Sequence, residues 1–532
     1  MEKNIFQPRL LHKFLINNAE KYSDKEAVII ENQRITFGML NDRSTQFANS
    51  LIQLGIKRHD RVIIFLDNSI ESIISIWSIL KTGAVFIVLN ASMKSIKLEY
   101  ILKDSGADFI IADSKKYDVV STALHNNMSS IKVIWVGNNA SHETRKTNPR
   151  LVFNELIEAQ NIGISKNLAN RLDKIIDYDL ATLIYTSGST GEPKGVISSH
   201  LNMISAARSI IEYIENDHDD IILNVLPLSF DYGLYQMIMS IMFGGTLVLE
   251  TSFMFPIKIV QIIEKEKITG FPIVPTIIAL LLKMKDIEKY KFDSLRYISN
   301  TGAAFPVPYI QKFNLLFPHI KIFSMYGLTE CKRISYLPPD EISKRPSSVG
   351  KAMPNCEVFI LDEGGHEVAC GEIGELVVRG SNVMRGYWNA PELTEKVFRQ
   401  GLSQGETLLY SGDLFRKDED GYLYFLGRKD DMIKSKGERI SPKEIENILC
   451  SIDGISEAAV IGIPDEILGQ AIKAFIVKKD GSEIEANDIL FYCSKNLESF
   501  MIPKSVEFLK DLPKSPNGKI DKKILKQQIL DL

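Results

Sequence analysis

The sequence predicts an α/β protein, and three of its features carry that prediction. Up to residue 340, short apolar stretches alternate with amphipathic stretches long enough for helices, the pattern of βα units on a largely parallel sheet. Beyond residue 340, short strand-like stretches are separated by glycines, as in a small antiparallel barrel or sheet. From about residue 428 the two styles mix, over a length that suffices for a small α+β domain. The expected organisation is therefore a large unit, residues 1–427, joined to a small one, residues 428–532.

In order along the chain, LLHKFLINNAEKY has helical periodicity and EAVII reads as a strand. FGMLNDRSTQFANSLIQLGI is a second helix, stopped at Gly55. RVIIFL precedes a helix from Ile70 to Lys81; AVFIVL precedes another helix and the strand ADFIIAD. Strands return at ILNVLPL, TLVLE, ITGFPIV, LRYISN and IKIFSMYG. The polar segment from Asn138 to Arg150 reads as a surface loop. In the last unit, PKEIENILCSI, EAAVIGI, QAIKAFIVKK, DILFYCSKNL and SVEFL read as helix, strand, strand, helix and strand. No internal repeat or low-complexity tract interrupts this order.

Composition excludes several classes. Of 532 residues, 45% are hydrophobic and 24% charged, which is globular and not disordered. Sixty-three basic residues against 67 acidic ones give a net charge of -4, so nothing global favours nucleic acid. The five cysteines, Cys331, Cys356, Cys370, Cys450 and Cys493, are dispersed, with no CxxC pair. That favours a reducing compartment over a disulfide framework. The N-terminus lacks the apolar core of a signal peptide. The most apolar stretch, Ile70 to Val88, is broken by Glu71, Ser72, Ser75, Lys81 and Gly83. The expectation is a soluble, cytoplasmic protein.

The most informative string is Leu183-Ile-Tyr-Thr-Ser-Gly-Ser-Thr-Gly-Glu-Pro-Lys-Gly195. Glycines let backbone N–H groups approach an anion, hydroxyls add donors, and Lys194 adds a point charge. The kinase-type phosphate loop GxxxxGK[ST] does not fit, because Pro193 stands where its glycine belongs and Gly195 follows the lysine. A Ser/Gly linker fits no better, since strand-like TLIY and VISS flank the string.

This string, from Thr186 to Gly195, resembles the phosphate loop of the adenylate-forming superfamily: acyl-CoA synthetases, peptide-synthetase adenylation domains and luciferases. The resemblance runs from Ile35-Thr-Phe to Asn517-Gly-Lys519, with the motifs in family order. It implies that Thr186, Ser187, Gly188, Ser189, Thr190, Gly191 and Lys194 hold ATP phosphates. Tyr326-Gly-Leu-Thr-Glu330 resembles the nucleotide motif, with Tyr326 stacking on adenine, Gly327 and Thr329 lining the nucleotide, and Glu330 holding Mg²⁺. Read without the family, Thr329-Glu330 suits a helix cap. Asn300-Thr-Gly-Ala-Ala304 resembles the small-residue strand along the adenine edge, bringing Gly302 and Ala303 to the ATP. Asp413, in Tyr410-Ser-Gly-Asp413, matches the aspartate that takes both ribose hydroxyls, which suits an acceptor-only carboxylate. Its bland alternative is a turn residue after Gly412. Arg428 is implied to contact the ribose, Asp430 to act as a hinge, and Gly437 and Arg439 to face the thiol acceptor. Lys519 matches the C-terminal lysine, which with Thr186, Lys194 and Glu330 forms the implied catalytic set.

The implied chemistry is ATP-dependent and AMP-forming: a carboxylate becomes an acyl-adenylate, then passes to a thiol. The acid pocket departs from many acyl-CoA synthetases, which carry histidine where Phe230 stands. Phe230-Asp231 resembles amino-acid adenylation domains, where the aspartate meets the substrate's ammonium group. Asp231 also suits a helix N-cap. Arg333 either meets a substrate carboxylate or forms a surface pair; Gly302 and Lys519 also border the acid. The favoured expectation is an amino acid loaded onto the phosphopantetheine of a carrier protein. An acyl- or aryl-CoA synthetase and a non-catalytic nucleotide-binding protein are the alternatives.

Overall fold

A computed structural model describes residues 8–124, 130–137, 151–187, 192–251, 253, 255–303, 305–401, 403–429, 431–435, 438–465, 469–497, 501–515 and 519–530. The fold is α/β, with a large N-terminal part and a small C-terminal one. Two sheets carry the alternation of the first part. The larger has nine strands, in the order Lys351–Ala352, Ser335–Leu337, Lys321–Tyr326, Tyr297–Asn300, Gly270–Ile273, Ile221–Asn224, Thr246–Leu249, Glu26–Ile30 and Gln33–Thr36. Its inner pairs are parallel and its two ends antiparallel. The second has seven strands, from Leu151–Val152 at one edge to the hairpin Leu180–Ser187 with Pro193–Ser199 at the other.

One apolar core joins the two sheets, and the helix Ile70–Thr82 runs through it. Ser69 caps that helix by accepting from the Ser72 N–H, and Gly83 ends it in the left-handed region. All its residues except Glu71 are buried, including Lys81. The Lys81 ammonium donates to Asn41 O and Oδ1, Ser44 Oγ and Thr45 Oγ1 at 2.8 to 2.9 Å. Burial nevertheless lowers its pKa to about 7. A residue that breaks the apolar run in the sequence is here an internal ion held by neutral oxygens.

Past residue 340, five strands form an antiparallel sheet built on Cys356–Leu361, Gly374–Gly380, Thr407–Lys417 and Leu423–Arg428, with Phe398–Gln400 at one side. The C-terminal part is a five-stranded sheet around the long pair Ile455–Asp465 and Gly469–Lys478. The helices Pro442–Ser451 and Ala486–Asn496 pack with its larger apolar cluster. A third helix, Lys522–Leu530, places Leu525 against Phe475 and was not legible as a helix in the sequence. All five cysteines are free. No helix among the described residues is long and apolar enough to cross a membrane. The expected loop at 138–150 lies outside the described residues.

Three local expectations are corrected. Tyr410 to Asp413 lie inside the long strand Thr407–Lys417, so Asp413 is not a turn residue. The strand of the Asn300 motif ends at Asn300, so residues 301–303 form a loop beyond its C-terminal end and not a strand. Thr329 and Glu330 sit in a turn after the strand Lys321–Tyr326, with no helix to cap.

The buried Lys81 makes a stability prediction. Its folded pKa lies below the unfolded value of about 10.4, so between pH 7 and 10 the unfolded chain binds more protons and stability rises with pH. Relative to Lys81→Met, the wild type should gain about 2–3 kcal/mol between pH 6 and pH 9. Denaturant melts of both proteins at the two pH values check it; a constant difference defeats it.

Candidate functional site

The site is organised by the turn between the antiparallel strands Lys321–Tyr326 and Ser335–Leu337, residues 327 to 334. It lies at the C-terminal end of a sheet strand, where open α/β sheets place their ligands. The turn folds tightly back on itself: a Cβ on Gly327 would sit 2.4 Å from Lys332 O and 2.8 Å from Arg333 Cα, so only glycine fits. Lys332 adopts φ +67°, a left-handed conformation that is rare for a non-glycine residue. Asn382, fully buried beyond the strand Gly374–Gly380, holds the turn from outside. Its side-chain amide donates to Cys331 O and Arg333 O, each at 2.9 Å. The Met384 N–H adds a bond to Glu330 O at 2.8 Å.

This turn presents Glu330 to the phosphate-loop hairpin. In that hairpin Thr186 pairs with Lys194, which brings the lysine to Glu330 at 3.5 Å. Tyr387 joins them, donating to Glu330 Oε1 at 2.6 Å while Lys194 donates to its hydroxyl at 3.0 Å. Burial, and then the Glu330 charge, push the Tyr387 hydroxyl's pKa up, so it stays a neutral donor. Tyr387 is set by a short bridge between Val196 and itself, flanked by Ile197 N–H to Gly386 O and Trp388 N–H to Gly195 O. Tyr387 was missed in the sequence: it stands in a glycine-punctuated stretch that reads only as short strands.

A second cluster lies on the other side of Tyr326. Its hydroxyl donates to Asp413 Oδ2, and its ring packs edge-on against Phe415 and stacked with Phe425. Arg428, at the end of the adjoining strand, pairs with Asp413 Oδ1 at 2.9 Å. Burial raises the Asp413 pKa to about 6, with Arg428 and the Tyr326 hydroxyl pulling it back toward the ionised form. Asp413, Tyr326 and Arg428 are thus one cluster.

The acid side begins at Gly302. A Cβ there would meet Phe230 Cζ at 3.4 Å and Lys519 Cε at 3.6 Å, so these three expected residues are neighbours. Lys519 closes a turn in which the Ser515 N–H donates to Lys519 O at 2.7 Å. The helix Asp231–Phe243 starts at Asp231 itself, and its N-cap is Phe230 without a side-chain bond; the reading of Asp231 as the capping residue is corrected. Asp231 instead faces Lys332, with Oδ2 3.4 Å from Nζ. Arg333 is not on the surface but 2% exposed, its guanidinium 4.9 Å above the Tyr232 ring. Lys332, adjacent to it, was not singled out in the sequence.

Several buried polar atoms around these clusters have no hydrogen-bond partner among the described residues: Thr186 Oγ1, Asn300 Oδ1 and Thr301 Oγ1. Leaving such an atom unpaired costs about 1–3 kcal/mol, so the site suits a polar ligand. With Glu330 and Asp413 as carboxylates and Lys194, Arg428 and Lys519 as cations, a magnesium-bound nucleotide fits this donor set. Gly188, Ser189, Thr190, Gly191, Asp430 and Gly437 lie outside the described residues, as do the side chains of Ser187 and Arg439.

Tyr387→Phe removes only the hydroxyl that couples Lys194 to Glu330. It should lower ATP–pyrophosphate exchange about 10- to 100-fold while leaving the melting temperature within a few degrees. Wild-type exchange rates in this variant would show that the hydroxyl takes no part.

Comparisons with known proteins identify the family. A family profile described as AMP-binding enzyme matches residues 15–388, and one described as AMP-binding enzyme C-terminal domain matches residues 444–519. A long-chain-fatty-acid–CoA ligase of Bacillus subtilis (strain 168) is 30% identical over 96% of this chain and 93% of its own. A linear gramicidin synthase of Brevibacillus parabrevis is 29% identical over 97% of this chain, but over 10% of its own much greater length. The crystal structure of ATP-bound MatB from Rhodopseudomonas palustris superposes with a TM-score of 0.86 at 26% identity, over 98% of this chain and 99% of that one. The anthranilate CoA ligase AuaEII in complex with anthranoyl-AMP superposes at 0.88, 26% identical over 99% of both chains. The chain belongs to the AMP-binding enzyme family, within the adenylate-forming superfamily, and is an ATP-using, AMP-forming acid–thiol ligase.

Proposed function

We propose that the protein activates a carboxylic acid with ATP and transfers the acyl group to the thiol of coenzyme A. The observation that carries this reading is the meeting of Lys519 with Gly302 and Phe230, on the acid side of the nucleotide clusters. In the first step a carboxylate oxygen bonds to the α-phosphorus and the bond to pyrophosphate breaks. The acid needs no general base, being ionised at pH 7. Lys519 and Lys194 oppose the negative charge gathered there, and Asp413 with Arg428 fixes the ribose. Glu330 is the carboxylate placed to hold Mg²⁺, which would supply further charge neutralisation to the phosphates. In the second step the thiol sulfur bonds to the acyl carbon, AMP leaves, and the thiol proton passes to solvent.

The amino-acid reading has less support. It needs Asp231 available to a substrate ammonium group, yet Asp231 already faces Lys332. What remains for it is the Phe230-Asp231 string and the likeness to the linear gramicidin synthase. Coenzyme A and carrier proteins offer the same phosphopantetheine thiol, so a carrier as acceptor stays within the same chemistry. CoA ligase relatives that match over nearly their full length favour coenzyme A.

In this reading the part from residue 428 to 532 turns about Asp430 between the steps, bringing Lys519 to the acid first and Gly437 and Arg439 to the thiol second. Among the described residues, contacts between the parts include Lys429 to Glu375 at 3.1 Å and Tyr309 to Ser456 O at 3.3 Å. Lys519→Ala should reduce ATP–pyrophosphate exchange by about 100-fold or more. Thioester formation from supplied acyl-adenylate and coenzyme A should fall by less than about threefold. Equal loss in both half-reactions defeats the assignment. Exchange with a panel of acids and amino acids, followed by transfer to coenzyme A or a carrier protein, tests the function as a whole.

A further inference from the structure

Two cations are buried side by side at the acid end of the site, and one anion faces them. Lys332 is 1% and Arg333 2% exposed. Among the described residues, Asp231 is the single carboxylate acting on Lys332, at 3.4 Å, while Arg333 acts against it. Nζ of Lys332, and Nε and Nη2 of Arg333, have no hydrogen-bond partner among the described residues. Tyrosine faces supply partial compensation: Lys332 lies 4.1 Å from the Tyr235 centroid, and Arg333 lies over Tyr232 and against the Tyr213 hydroxyl. Cation–π attraction is weaker than the desolvation of a guanidinium, so the group is incompletely paired as it stands.

The turn spends backbone strain on this placement. The left-handed Lys332, the crowding at Gly327 and the Asn382 clamp together hold both side chains against the helix Asp231–Phe243. Phe230, which borders Gly302 and Lys519 where the reacting carboxylate belongs, is the chain neighbour of Asp231. Through Asp231, the cation pair adjoins that end of the site.

We propose that Lys332 and Arg333 form the receptor for a second carboxylate on the acid, so that the substrate is a dicarboxylic acid with a short aliphatic or aromatic spacer. This rests on the ligase reading above and names its substrate class. Arg333 offers a planar donor fork that matches a carboxylate, and Lys332, shared with Asp231, completes the cradle. An aliphatic monoacid leaves the cations unpaired. An amino acid brings a third cation toward two.

The test is ATP–pyrophosphate exchange with matched pairs: succinate, glutarate, adipate and isophthalate against butanoate, pentanoate, hexanoate and benzoate, with amino acids alongside. At least one diacid should exceed its monoacid partner in kcat/KM by about tenfold or more. Arg333→Met should cut that ratio by about 100-fold, and Lys332→Met should cut it as well. Arg333→Met should also raise the melting temperature of the free enzyme, because it removes a buried ion without a full partner. A lowered melting temperature with an unchanged ratio would mean a structural role only and overturn the receptor. Preference for monoacids or amino acids also overturns it, leaving the ligase reading intact. If no acid in the panel supports exchange, the ligase reading fails and the receptor fails with it.

Discussion

The site depends on one amide. Asn382 donates from a single nitrogen to two carbonyls of the turn between the strands Lys321–Tyr326 and Ser335–Leu337, and is itself fully buried. With the Arg333 N–H bond to Cys331 O and the Ile334 N–H bond to Tyr326 O, each at 2.9 Å, that clamp holds Lys332 in a left-handed conformation that sterics disfavour. The hairpin of the phosphate loop, the glycine-punctuated sheet that supplies Tyr387, and the helix of Asp231 all meet the protein's charged centre through this turn. Backbone bonds from Met384 to Glu330 and from Trp388 to Gly195 carry the same logic outward, tying the segment after the strand Gly374–Gly380 to the turn and to the phosphate-loop hairpin.

Two lysines show what burial demands. Lys81 and Lys332 are both 1% exposed, and burial brings each to a pKa of about 7. Lys81 is surrounded by four oxygens within hydrogen-bond distance, whereas Lys332 has one carboxylate at ion-pair distance and an aromatic face. The first is a finished arrangement and the second is an open one. A buried cation of the open kind is a better guide to function than its charge alone, because packing by itself gives no reason to keep it.

Much of the fold was legible because periodicity is local: the helix expected over Ile70 to Lys81 and the strands around it follow from apolar spacing. Which strands become neighbours was not legible. Glu26–Ile30 pairs with Thr246–Leu249 across more than two hundred residues, and no local pattern encodes that choice. At the site, the glycine and hydroxyl strings announced the nucleotide end, since phosphate binding demands particular residue types in sequence. Tyr387 and Asn382 act through single atoms brought in by tertiary pairing, so they look like any polar residue in a loop. Asp231 was noticed as a partner for an ammonium group, and in the structure it lies 3.4 Å from that of Lys332.

The turn from Gly327 to Ile334 carries Glu330, which lies beside Lys194, and the buried pair Lys332 and Arg333 on one backbone. Its two ends cannot relax independently, because the Asn382 and Met384 bonds grip the residues between them. On the proposed reading, ATP would occupy one end of this shared backbone and the acid the other, and any coupling between them would by thermodynamic reciprocity be the same in both directions. Selectivity in such a site would then be exerted partly as cooperativity between substrates.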